Sequence, residues 1–285
     1  MAERRVALVT GASRGAGKGV ALGLAMRGYT VYVTGRSQQE GDAALPGTIH
    51  RTASEIDAAG GHGVAIACDH SRDEQVAAVF DQIQRETGRL DILFNNVAFI
   101  HDELVTPAGF WEKSPDISRI LDVGLRSAFI ASWHAAQLMV PAGRGLIAMG
   151  SSFGAACYMH GPAYGAQKAG LDKMAWDMAI DLNAYGVAAV SVWLGPLLTE
   201  RTERVFAEHA EQYAGFAELA EHPQFTGLLL DRLYEDPTLM DRSGQTLIGA
   251  ELGREYGLRD LNGREPPSWR ESLGNPLVFT RAIVR

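Results

Sequence analysis

Cysteine is nearly absent, with two in 285 residues, Cys68 and Cys157. Cys157 stands three residues before His160, and one such couple without a second makes no metal site, so both are expected as buried thiols and no metal is expected. No uninterrupted apolar run approaches the roughly 18 residues of a membrane span. There is no apolar signal segment either, because MAERRVALVT passes directly into a strand pattern. A soluble, intracellular protein in the cytoplasm is the expectation. Basic charge is in deficit, 26 Lys and Arg against 34 Asp and Glu, for a formal charge of -8 and a pI near 5.5. That balance argues against a nucleic-acid surface and for a small-molecule partner. Internal repeats and an interdomain linker are missing too, which favours one domain.

What is present is a core-sized apolar content, 46% of residues, distributed in a regular alternation. Strands are predicted at 6–10, 31–34, 64–67, 92–94, 146–149 and 188–193, with a last one around 246–250. Helices are predicted at 15–27, 52–59, 74–86, 117–138 and 164–185. Strand and helix in alternation read as right-handed crossovers. The fold class is therefore α/β, a doubly wound parallel sheet of Rossmann type, with ligands at the carboxyl ends of its strands. Three segments break the rhythm: the polar insertion 38–48, the polar stretch 197–225 placed to cover a site, and a tail. The division expected is a dinucleotide-binding and catalytic domain at 1–252 and, at 253–285, an arm or pocket cover.

Ten residues into the chain, TGASRGAGKG admits two readings. A triphosphate loop needs Gly where Ala12 stands and Ser or Thr where Gly19 stands, and both tests fail. What remains is Gly11, Gly15 and Gly17 after a buried strand, a turn that aims unpaired N–H groups and a helix dipole at a pyrophosphate. At the end of the second strand, VYVTGRS carries no acid to take a ribose 2′-hydroxyl and instead offers Arg36. A guanidinium there favours a 2′-phosphate, so the expected cofactor is NADP.

Far downstream, Tyr164 and Lys168 stand four apart in a helical pattern and share one face. An ammonium beside a phenol stabilises the phenolate, which turns a poor acid–base group into a usable one. Ser151, thirteen residues earlier, ends a predicted strand. A hydrolase elbow, G-x-S-x-G, is lacking around it in MGSSFG.

These features together resemble the short-chain dehydrogenase/reductase family: TGASRGAG, Asn95-Asn96-Val97-Ala98 after the fourth strand, Ser151, Tyr164-x-x-x-Lys168, and the run from Gly195 to Thr199. The similarity spans about 6–199. VGLRSAF, LMVPAGRGLI and YGLRDLNGR further resemble the dehydrogenase/reductase member 1 subfamily. The resemblance implies that Tyr164 gives a proton to a substrate carbonyl, that Lys168 holds the nicotinamide ribose and lowers the phenol, and that Ser151 binds the carbonyl oxygen. It implies cofactor contacts at Gly11, Ser13, Arg14, Gly15, Ala16, Gly17, Arg36, Asp69, Asn95, Tyr164, Lys168, Gly195 and Thr199. It also implies a homo-oligomer paired through the two long helices, with Trp133 and Trp176 as interface candidates.

Departures from the family pattern are Gly124, where a relay Asn usually stands, Val97-Ala98 in place of Ala-Gly, and Leu194-Gly195 with Pro196 displaced. The function expected is an NADP(H)-dependent carbonyl/alcohol oxidoreductase acting on a small to medium apolar substrate, a carbonyl reductase. Phe99, Phe110, Trp111, Phe153, Tyr158 and Trp193 are candidate pocket walls. The alternative from another class is a noncatalytic NADP-binding sensor or regulatory protein, against which Ser151, Tyr164 and Lys168 argue. Epimerase or dehydratase chemistry would need a larger substrate domain than follows Thr199.

Overall fold

The computed structural model describes residues 4–208, 211, 215 and 218–284. Seven strands, β1 (Val6–Val9), β2 (Thr30–Gly35), β3 (His62–Ala67), β4 (Ile92–Asn95), β5 (Gly145–Ser151), β6 (Val187–Trp193) and β7 (Thr246–Ile248), form one sheet in the order β3-β2-β1-β4-β5-β6-β7. Every pairing is parallel. β1, β4, β5 and β6 are buried along their whole length, which is why their sequences are near-continuous apolar runs rather than alternating ones.

Helices α1 (Gly15–Ala25), α2 (Ile49–Ala58), α3 (Asp73–Glu86), α4 (Ser127–Ala142) and α5 (Pro162–Leu182) connect successive strands. Two apolar clusters result, one on each face of the sheet. One packs α1, α2 and the helix Pro223–Glu235 on alternate strand residues such as Ala7, Val31 and Val190, and the other packs α3, α4 and α5 on Leu8, Leu93 and Ala189. The doubly wound parallel sheet read from the sequence is the fold observed. Helix α6 (Glu200–Glu208) follows β6; the rest of the segment expected as a cover lies partly outside the described residues.

The helix predicted at 117–138 is not continuous. A 3₁₀ turn at Pro115–Ser118 and a π-helical turn at Leu121–Arg126 precede α4. Gly124, on the π turn, lies against Gln167 of α5, where a Cβ would meet the Gln167 amide. A regular turn with a side chain at that position has no room beside Gln167, and π turns of this kind cluster at functional sites.

Candidate active site

The switch point between β1 and β4 opens at the carboxyl ends of the strands, and a groove runs across it. The turn after β1 is shaped by Gly11 at φ +66° and Gly15 at φ +61°. Gly17, in the first turn of α1, lies so close to the preceding loop that a Cβ would clash with Gly11 O. Asn96 cements this approach by donating to Thr10 O and Gly11 O at 3.1 and 2.9 Å.

An anion already tests the donors of that turn. The Glu200 carboxylate, from the start of α6, accepts the Gly15 N–H at 2.8 Å. A carboxylate at a helix N-terminus stands in for the phosphate oxygens that such a site binds, so the turn fits a dinucleotide. Arg14 and Arg36 both face the groove, near enough for their charges to repel, and burial with Arg36 and Arg201 nearby pulls Arg14 below its ordinary value against Glu200 and Glu40. Arg14 is also fixed by Ser37 Oγ, Pro46 O and Gly47 O at 2.9, 3.0 and 2.7 Å, so the polar insertion braces the turn.

Of the expected cofactor contacts, Gly11, Ser13, Arg14, Gly15, Ala16, Arg36, Asp69 and Thr199 line the groove. Asn95 does not. It is 4% exposed and its amide donates to Ser132 Oγ at 3.0 Å and contacts Met149 S at 3.3 Å, whereas its neighbour Asn96 faces the groove. Gly195 is held from below, its N–H donating to the buried Glu221 at 3.2 Å.

Tyr164 and Lys168 come together at the end of β5, with Ser152 rather than Ser151 beside the phenol. Tyr164 OH lies 2.9 Å from Ser152 Oγ, and Lys168 Nζ stands 5.5 Å from the centre of the Tyr164 ring while donating to Gly150 O at 3.0 Å. Ser151 is not brought to Tyr164. It is 2% exposed, and its hydroxyl donates to the Lys168 carbonyl at 3.3 Å. The reason is strand alternation: Ser151 is the last residue of β5 and faces α5 behind the site, so its successor faces the site. The spacing of thirteen residues points to Ser151 and not Ser152, and β5, buried along its whole length, carries no alternation that would mark the difference.

Burial pushes Tyr164 up from its ordinary value, with the Ser152 hydrogen bond opposing. Burial also pulls the Lys168 ammonium down to about 8, with Asp172 opposing. The phenol of this site is therefore a protonated acid at neutral pH.

The candidate pocket aromatics separate. Phe153 and Trp193 are core residues, ring centres 4.8 Å apart over Ile248. Phe110, Trp111 and Tyr158 are exposed, and Phe99 lines the groove under the Arg119 guanidinium at 4.6 Å. Cys68 is buried and Cys157 half-buried, both free, and among the described residues no cluster could hold a metal ion.

A parallel sheet whose Gly-rich turn opens a groove at the switch point is a dinucleotide-binding architecture, and the sequence defines the class: residues 5–210 match the short chain dehydrogenase family, to which this chain belongs. Within it, the chain is similar to dehydrogenase/reductase SDR family member 1 of Mus musculus, 39% identical over 272 residues, covering 91% of this chain and 84% of that protein. The Homo sapiens protein of the same name is equally similar, 39% over 271 residues. A short-chain type dehydrogenase/reductase from Mycobacterium marinum shares the fold at a TM-score of 0.67 and 25% identity, covering 86% of this chain and 92% of that one. Among the described residues no helix is long and apolar enough to cross a membrane.

Proposed function

We propose that this oxidoreductase reduces a carbonyl to an alcohol on a small to medium apolar substrate, with NADPH as the cofactor and Ser152, Tyr164 and Lys168 as the acid–base set. The observation that carries the reading is the 2.9 Å pair of Ser152 Oγ and Tyr164 OH just past the carboxyl end of β5. Two hydroxyls so placed can both donate to one carbonyl oxygen. Burial keeps the phenol protonated, so Tyr164 holds the proton that the oxygen takes up as it becomes an alcohol. Lys168, under the ring, offsets the charge left on the phenolate. A reduced nicotinamide bound in the groove supplies the hydride.

Preference for the phosphorylated cofactor rests on Arg14 and Arg36 converging on one end of the groove with no acid at the end of β2. Two guanidinium groups on a 2′-phosphate combine charge with paired hydrogen bonds. A sensor that only binds the cofactor has no use for the Ser152–Tyr164 pair. NADPH oxidation over a panel of ketones, aldehydes and quinones separates the two readings: turnover that collapses in Tyr164→Phe supports the reductase, and tight NADPH binding without turnover on any member supports the sensor. Parallel titration with NADPH and NADH tests the preference, which equal or tighter binding of NADH, or an unchanged NADPH affinity in Arg36→Ala, would overturn.

A further inference from the structure

Helix α5 carries a third polar residue in line with Tyr164 and Lys168. Asp172 follows Lys168 by four residues, one turn further along the same face, and is 1% exposed. From β6, Ser191 Oγ donates to its Oδ1 at 2.6 Å and Trp193 Nε1 donates to its Oδ2 at 2.8 Å. The Ser151 hydroxyl of β5, which donates to the Lys168 carbonyl, lies beside the same carboxylate. Burial pushes the Asp172 carboxyl above its ordinary value, and the Ser191 and Trp193 donors oppose this by favouring the ionised, acceptor-only form. A buried charge of this kind requires an opposite one nearby. Lys168 is that cation, since the group to which it donates, Gly150 O, is neutral.

Resting on the reading of Tyr164 and Lys168 given above, we infer that Asp172 is a positioning residue of the site, a buried counter-charge fixed by Ser191 and Trp193, with Ser151 beside it, that keeps Lys168 an ammonium beneath Tyr164. The groups that face Lys168 are few. Tyr164 and Asp172 flank it on its own helix, β5 presents Gly150 and Ser151, and β6 reaches it through Asp172, which Ser191 and Trp193 hold. Asp172 is the one charge acting on it through space, and it opposes the pull of burial. This gives the buried Ser151 a task as well: it supports the counter-charge instead of touching substrate.

The chain has four lysines, Lys18, Lys113, Lys168 and Lys173, so isotope-labelled lysine side chains can be followed individually by NMR, with Lys168→Arg assigning the signal. In the wild-type protein the Lys168 midpoint is expected near 8. Asp172→Asn should lower it by about one pH unit, the low end of what a nearby opposite charge does, and Asp172→Glu should bring it back. Ser191→Ala, which loosens the carboxylate without removing it, should move the midpoint the same way by less, and serves if Asp172→Asn does not fold. The alkaline limb of the kcat/KM profile should move with the midpoint. An unchanged Lys168 midpoint in the folded variants overturns the inference. Normal turnover by Tyr164→Phe overturns the reading of the site instead, and leaves the NMR outcome to decide Asp172 on its own.

Discussion

Ser151 and Ser152 are neighbours with different surroundings, and their alanine variants separate the roles. Ser152→Ala removes a hydroxyl at 2.9 Å from Tyr164 OH and should lower kcat by about 10²-fold, the low end of an acid–base contribution. Ser151→Ala removes a buried donor and should cost stability of about 1 kcal/mol, with a smaller loss of rate; denaturant unfolding and steady-state rates on one carbonyl substrate check both. The reverse ranking of rates would return the substrate contact to Ser151. Glu200 makes a second residue-scale prediction. Its carboxylate holds the Gly15 N–H that a pyrophosphate needs, so Glu200→Gln should tighten NADPH binding several-fold by removing a competing charge, read by fluorescence titration. Weaker binding would mean that Glu200 assists the cofactor. The pH dependence follows from Lys168: its ammonium is lost as pH rises through about 8, so the reductive rate should fall across that point and not before it.

Between elements, the contact of the π turn with α5 is tight enough to predict. Any side chain at position 124 displaces the Gln167 amide, so Gly124→Ala should destabilise the fold by about 1–3 kcal/mol. Shortening Gln167 to Ala in the same chain should recover most of that, a coupling that a double-mutant cycle measures. Below the loop that begins at Gly195, Glu221 is 3% exposed, and burial pushes it up to about 7, with Asp260 adding to the effect and the Gly195 N–H opposing it. A carboxyl raised in the folded state favours folding fully below about 4.5, and that contribution is lost as pH rises through about 7. Glu221→Gln should therefore stabilise the protein at pH 8, by at most about 3 kcal/mol, and change little at pH 4.5, as urea unfolding at the two pH values would show.

The order of elements was legible because each strand of a two-faced sheet is an apolar run and each helix repeats every three to four residues. The turn at Gly11–Gly17 and the spacing of Tyr164 and Lys168 were legible for the same reason, being local. Ser152, Asn96 and Glu200 were not: each owes its role to a partner tens of residues away or to one step of strand alternation, and neither is written in spacing. Asp172 lies in between, visible as a third residue on the helix face yet given meaning only by Ser191 and Trp193 across the sheet.

At the scale of the whole molecule, α4 is apolar on its outer side as well as its inner one, with Phe129 49% and Trp133 55% exposed one turn apart. Trp176, the matching candidate on α5, is contacted by Phe279 of the tail at 5.9 Å, so the tail packs over part of that helix. An exposed aromatic pair on a helix is the kind of surface that a second copy covers. Sedimentation at micromolar concentration should give a mass above the 30.7 kDa of one chain, and Trp133→Arg should shift it toward that value; a single 30.7 kDa species in the wild-type protein would count against pairing through α4.

Rapid mixing of the NADPH-loaded enzyme with the best carbonyl of the panel, following loss of the reduced nicotinamide in a single turnover, tests the central claim most directly. Tyr164→Phe should bind NADPH as the wild-type protein does and slow this step by about 10²–10⁴-fold, whereas a rate equal to wild type, with cofactor bound and the fold intact, would contradict the assignment of Tyr164 as the acid.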